Sequence, residues 1–168
     1  MRFAATVLSL GVALFGCSES ITEPDEVEVV MQVIEETEFA STLRIDLTAM
    51  TKLQSGVYIQ TLAGGDPYAL EAAIGRVLEV GIEGWLADGT QWMNGHETLF
   101  LGATSTIRGL EDALLGMLPG EQRLAVVPPH RAYGTLPHLD QQGAVIVPAG
   151  SIVILKIHLH QVTEVGFS

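Results

Sequence analysis

The sequence predicts an α+β domain in which one short helix packs on a face of an antiparallel sheet. Three observations carry the prediction. Residues 76–86 and 151–162 alternate apolar and polar side chains, the period of a half-buried strand. Between them Ile107, Leu110, Leu114 and Met117 recur at intervals of three, four and three, which is one stripe of a helix. That stripe stands alone among short β-rich runs separated by Gly, Pro and Asp.

The elements follow in chain order. The opening MRFAATVLSLGVALFGC places Arg2 before a continuous apolar run of the length of a signal h-region, short for a membrane span. Leu14-Phe15-Gly16-Cys17 resembles the lipobox of bacterial lipoproteins, with a small residue directly before the cysteine. On that reading the signal is cleaved and Cys17 is lipidated. The protein is then held to a membrane, the outer one if the host has two. The alternative is an ordinary secretory signal with an incidental cysteine. Residues 18–38 carry eight acids and no base. They are expected to begin as an extended tether, with enough apolar content from residue 27 onward for a short strand or helix, and to be the least ordered part of the chain. Residues 39–56 lead into the domain.

Residues 57–62 read as a strand, and residues 69–74 as one helical turn. In residues 76–86, Leu78, Val80 and Ile82 share one face and Glu79 and Glu83 the other. Asp88-Gly89 then turns the chain into Thr90-Gln91-Trp92, and residues 99–102 read as a further short extended piece. Ser105 or Thr106 can cap the helix and Pro119-Gly120 can stop it. Residues 122–127 read as a strand, residues 135–145 as a loop holding His138, and residues 151–162 as the last strand. There Val153, Leu155, Ile157 and Leu159 face in, while Lys156, His158 and His160 face out.

Composition removes several functions. A net charge of −12 without any basic run argues against a nucleic-acid partner. Cys17 is the one cysteine, so the chain forms no internal disulfide and no cysteine-based metal cluster. His158 and His160, two apart on a strand, could ligate a metal. No third ligand is evident nearby in the sequence, so a solvated strand face is the reading adopted and no metal is expected.

A family resemblance emerges from five motifs in consistent order. They are Gly84-Trp85-Leu86-Ala87-Asp88-Gly89-Thr90, Ile107-Arg108-Gly109-Leu110-Glu111, Gly116-Met117-Leu118-Pro119-Gly120-Glu121, Pro129-His130-Arg131-Ala132-Tyr133-Gly134 and Val147-Pro148-Ala149-Gly150-Ser151. Together, across about residues 55 to 162, they resemble the FKBP-type peptidyl-prolyl cis-trans isomerases. The resemblance implies a twisted antiparallel sheet, a half-barrel, wrapped around the helix. It also implies rotation about X-Pro bonds with no cofactor, and proline-containing polypeptides as partners. The expected organisation is a signal over residues 1–16, an acidic tether over 17–38, a lead-in over 39–54 and an FKBP-like domain over 55–168.

Carried over by motif, Tyr133, the Ile107 backbone N–H and Trp92 are the catalytic candidates. Thr106, Leu110, Val147 and Leu155 are expected to complete the substrate pocket. Two further pocket positions, Ile82 and Met93, depart from the pattern, which usually has Tyr and Asp there to orient the substrate carbonyl. The resemblance therefore implies a folding isomerase of the cell envelope with a weakened polar half. The alternative is a catalytically weak or inactive binding and chaperone module anchored to the membrane.

Overall fold

The structure is a computed structural model, and it describes residues 28–103 and 106–165. The signal segment, Cys17 and the first part of the acidic stretch lie outside the described residues, as does Ser105. In chain order the elements are β1 (Thr51–Lys52), β2 (Tyr58–Ala63), β3 (Arg76–Leu86), β4 (Gln91–Phe100), α1 (Arg108–Leu114), β5 (Gln122–Val127), β6 (His138–Leu139), β7 (Val145–Val147) and β8 (Val153–Glu164). Six strands form one open antiparallel sheet in the order β1-β2-β5-β8-β3-β4, and β6 and β7 make a separate small hairpin.

The alternation read in β3 and β8 is the alternation observed. Leu78, Val80 and Ile82 pack with Leu155, Ile157 and Leu159 on the face that carries α1, where Leu110, Ala113 and Leu114 are buried. Burying a Leu- or Ile-sized side chain is worth about 1.5–3 kcal/mol, so this stripe-on-sheet contact dominates the fold. Gly109 sets how closely the helix approaches. A Cβ there would come within 2.2 Å of Val127 Cγ1 on β5. Arg123, on β5, closes the other end of α1 by donating to the carbonyls of Ala113 (2.7 Å) and Leu115 (3.1 Å). Its charge is balanced by the buried carboxylate of Glu121 at 2.7 Å.

The opposite sheet face is also covered. Leu124, Val126 and Ile154 point away from α1 and meet Ile34, Phe39, Leu43, Ile45, Leu47 and Met50. The stretch expected to be least ordered is thus pinned from residue 28 onward. Ile152 N donates to Gln32 Oε1 at 2.7 Å, and Ala40 N to the Ala87 carbonyl at 2.8 Å. Glu35 accepts from Lys52 and from the Tyr58 hydroxyl, and these bonds hold its carboxyl down at a pKa of about 2. The apolar residues scattered through 28–50 have no helical or strand period because they match the sheet surface rather than one another.

Five local expectations are corrected. Residues 69–74 form no helix, because Ala72 exchanges backbone bonds with Met117 and Gly116 instead. The helix starts without a side-chain cap, on extended Ile107, so Thr106 does not cap it. It also ends earlier than Pro119, at Leu114, with Gly116 at φ 73° reversing the chain. Residues 99–102 are not a separate piece, since β4 runs unbroken from Gln91 to Phe100 in register with β3. Finally, residues 135–145 are not wholly loop but contain β6 and the start of β7.

Candidate active site

The concave face is incomplete at one end of α1, and a cavity of about 320 Å³ opens there. Leu110 of the helix stripe forms its floor, beside Leu155 of β8 and Ile82 of β3. Trp92 reaches the cavity through a bulge. Gly84 pairs with Met93 and Trp85 with Gln91, so Trp92 is an extra residue on β4. A bulge turns neighbouring side chains toward one face, and both Trp92 and Met93 line the cavity. Gly84 makes this possible, because a Cβ there would stand 2.9 Å from Trp92 Cε2 and Cζ2. The indole N–H is buried without an acceptor among the described residues.

Tyr133 closes the far side. Its ring meets Trp92 edge-on at 5.8 Å and 83°, and stacks on His138 at 4.4 Å and 12°. The turn that carries it is held in three places. Gly134 N bonds the Pro129 carbonyl, Gly150 N bonds the Gly134 carbonyl, and Arg131 donates twice to Asp112 on α1 at 2.8 and 2.6 Å. Burial raises the Tyr133 hydroxyl pKa to about 12, so it remains a neutral donor throughout the physiological range. Thr106 and Ile107 form the rim at the start of the helix. Ile107 is extended, and its carbonyl accepts from Leu110 N at 3.0 Å. Among the described residues its N–H has no backbone partner. Past this rim a second hollow of about 440 Å³ shares Thr106, Ile107, Tyr133 and His138 and continues along Arg108 and His130.

This open sheet with one helix, and with a pocket at the entrance of that helix, can now be set beside known proteins. The family model for the FKBP-type peptidyl-prolyl cis-trans isomerase matches residues 69–160. The chain belongs to the FKBP-type peptidyl-prolyl cis-trans isomerases. It is 37% identical over 79 residues to the peptidyl-prolyl cis-trans isomerase FKBP10 of Homo sapiens, covering 44% of this chain and 12% of that protein. It is 30% identical over 129 residues to FKBP7 of Mus musculus, covering 71% of this chain and 57% of that protein. The chain thus spans a small part of the first relative and little more than half of the second. The fold matches the crystal structure of a peptidyl-prolyl cis-trans isomerase from Pseudomonas syringae, with a TM-score of 0.61 and 21% identity over 74% of this chain and 87% of that one. It also matches FkpA from Escherichia coli, with a TM-score of 0.58 and 21% identity over 69% of this chain and 52% of that one.

Within this FKBP-type domain, eight of the nine pocket residues expected from motifs line one cavity: Ile82, Trp92, Met93, Thr106, Ile107, Leu110, Tyr133 and Leu155. The ninth, Val147, does not. It is fully buried in the main core, and its neighbour Ile146 lines the cavity, because adjacent residues of β7 face opposite sides. Glu97 and Leu99 were missed, since residues 94–98 gave no strand period. His138, read from the sequence as a loop residue, forms a wall of the cavity. The β3 and β4 wall is apolar at Ile82 and Met93, while Glu97 brings the one carboxylate among the described lining residues.

Proposed function

We propose that this chain catalyses cis-trans isomerisation of X-Pro bonds in exported proteins. We further propose that it does so in the cell envelope, anchored through lipidated Cys17 and facing the periplasm where the host has an outer membrane. The observation that carries the catalytic part is the open apolar cavity floored by Leu110 and walled by Trp92 and Tyr133. The adjoining hollow supports a polypeptide substrate, because a chain threading the site needs a groove beyond the proline. The address in the envelope is supported by the sequence of residues 1–17.

The barrier to rotation about a peptide bond is about 18–20 kcal/mol, and uncatalysed X-Pro exchange takes roughly tens to hundreds of seconds. No covalent bond is made or broken, so the reaction asks for no nucleophile. The planar amide is more dipolar than the twisted one, and a dry pocket therefore favours the twisted state relative to the planar. Donors that hold flanking carbonyls in a twisted pose add to this, and on this reading the Tyr133 hydroxyl and the Ile107 N–H, both from residues lining the cavity, supply them. Each 1.36 kcal/mol of differential stabilisation is about tenfold in rate. Apolar Ile82 and Met93 withhold a contribution on the order of 1–2 kcal/mol, roughly five- to thirtyfold in rate. A protease-coupled assay on a proline-containing peptide is expected to give a rate above buffer but below that of a family member with the polar pair. A rate equal to buffer rejects catalysis.

The same two residues favour a second reading, a module that grips proline-containing segments without turning them over. Titration of such a peptide with chemical-shift changes at Trp92 and Tyr133, together with no turnover, is the result that selects it.

A further inference from the structure

On the sheet face turned away from the pocket, three histidines from two strands gather around one glycine. Strand register places His96 of β4 and His158 of β8 on either side of Gly81 of β3. In the β3–β8 pairing Val80 faces Leu159 and Glu79 faces Gln161, so His160 is inserted as an extra residue at the same spot. The His158 and His160 rings lie 4.2 Å apart at 53°, and the His96 and His160 rings 5.2 Å apart at 25°. Gly81 leaves the ground beneath them clear. A Cβ on it would stand 3.1 Å from His160 Nε2 and 3.5 Å from His96 Nε2, so two ring nitrogens converge above one backbone position. His96 and His160 are exposed and His158 is half-buried. Glu79 lies on the same face, one pair along, and acts electrostatically on His160.

We propose that this cluster is a binding site for a divalent transition metal that prefers imidazole, Zn²⁺ being the probe, with His96, His158 and His160 as ligands and Gly81 as the open floor. As the side chains stand, the rings stack, and among the described residues no three donors are drawn to ligating distance. The backbone nevertheless holds the right frame. Strands about 4.8 Å apart put the Cα atoms of His96 and His158 roughly 10 Å apart across Gly81. Two imidazoles can meet across that span at a metal with bonds of about 2.0–2.1 Å. Exposed side chains change rotamer on the ps–ns timescale, so the ion collects its ligands by side-chain rotation with the sheet unmoved. The set contains no thiolate, which selects against ions that demand sulfur and suits Zn²⁺, Ni²⁺ or Cu²⁺. Coordination would tie edge strand β4 to β3 and β8, four residues from Trp92. The site is on the opposite face from the cavity, and it stands or falls independently of the isomerase reading.

The test is calorimetric titration of Zn²⁺ into the full chain carrying no polyhistidine tag, repeated on His96→Ala, His158→Ala and His160→Ala. The expected result is one Zn²⁺ per chain and a loss of affinity of more than tenfold in each variant. A melting temperature raised by Zn²⁺ in the natural chain and unmoved in His96→Ala would agree, since His96 is exposed and its replacement leaves the core intact. Absence of saturable binding overturns the proposal, as does stoichiometric binding that all three substitutions leave unchanged, which would place the ion elsewhere.

Discussion

The two halves of the pocket are built differently. The aromatic half, made by Trp92, Tyr133, His138 and Leu110, is locked from behind. Gly84 admits the indole, Gly109 sets the helix against Val127, and the Arg131–Asp112 pair fastens the Tyr133 turn to α1. The strand half, made by Ile82 and Met93, has no such glycine or ion-pair lock, although Ile82 itself is buried in the core. Ile82 faces Gly95, above which nothing lies within 4 Å of a Cβ position. A side chain larger than Ile would have room there. The slot that takes a proline ring thus depends on packing that also holds the fold together. The polar groups that would orient a carbonyl depend on two positions where apolar side chains keep the core packed. Sequence change can therefore remove the second half without harming the first.

The largest effect expected from breaking the locked half is at Gly109. Gly109→Ala drives a methyl group into Val127 and against the Arg131 carbonyl, and should cost about 1–3 kcal/mol in urea unfolding, with the cavity distorted. Unchanged stability would mean that helix and sheet are not in the close contact described. The converse change fills the strand half. Ile82→Tyr combined with Met93→Asp should raise turnover roughly five- to thirtyfold in the coupled assay, at a cost of about 1–3 kcal/mol in stability because Ile82 is buried in the core. If turnover is already appreciable and does not move, the polar pair is dispensable in this chain. Asp112→Ala comes next. It leaves Arg131 without its partner at a site that is partly buried, and should cost about 1–2 kcal/mol, between the exposed and fully buried limits. It should also lower kcat more than it raises KM, since Tyr133 loses its positioning rather than its hydroxyl. An equal fall in Tyr133→Phe and in Tyr133→Phe combined with Asp112→Ala would show that the pair acts through Tyr133.

What the sequence disclosed follows the same division. β3, β8 and the helix stripe were legible because each has its own period, and β5 because it is a short apolar run, buried on both faces, that ends at Pro128. The pocket residues came from motifs whose spacing in the chain is short. What could not be read depends on contacts between distant residues. The apolar alternation of β4 is interrupted at Asn94, Gly95 and His96, and the segment becomes one strand through its register with β3. Trp92 reaches the pocket through a bulge visible only in that pairing. Residues 28–50 find their partners on a surface made by β5 and β8. His96 comes beside His158 and His160 for the same reason, so the third member of that cluster is more than sixty residues away in the chain. Val147 and Ile146 differ by one position, and resemblance does not fix a register that finely.

The smallest effect separates the halves by their dryness. Tyr133 is half-buried against Trp92 and His138, and desolvation alone raises its pKa to about 12, from an ordinary value near 10. A neutral phenol costs less to keep there than a phenolate, which would lose more hydration. The unfolded chain therefore releases this proton at a lower pH than the folded one. The stabilising contribution is complete below about pH 10 and is lost as pH rises from there to about 12. Through neutral pH the hydroxyl neither titrates nor alters turnover, so the rate should be flat with respect to this group from mildly acidic to mildly alkaline conditions. Ultraviolet titration of the folded protein should show a late phenol ionisation that is absent in Tyr133→Phe, apart from that of Tyr58, which its hydrogen bond to Glu35 also raises. If the step removed by that substitution lies near pH 10, water reaches the ring, and the dry slot on which the catalytic reading depends is not closed on its aromatic side.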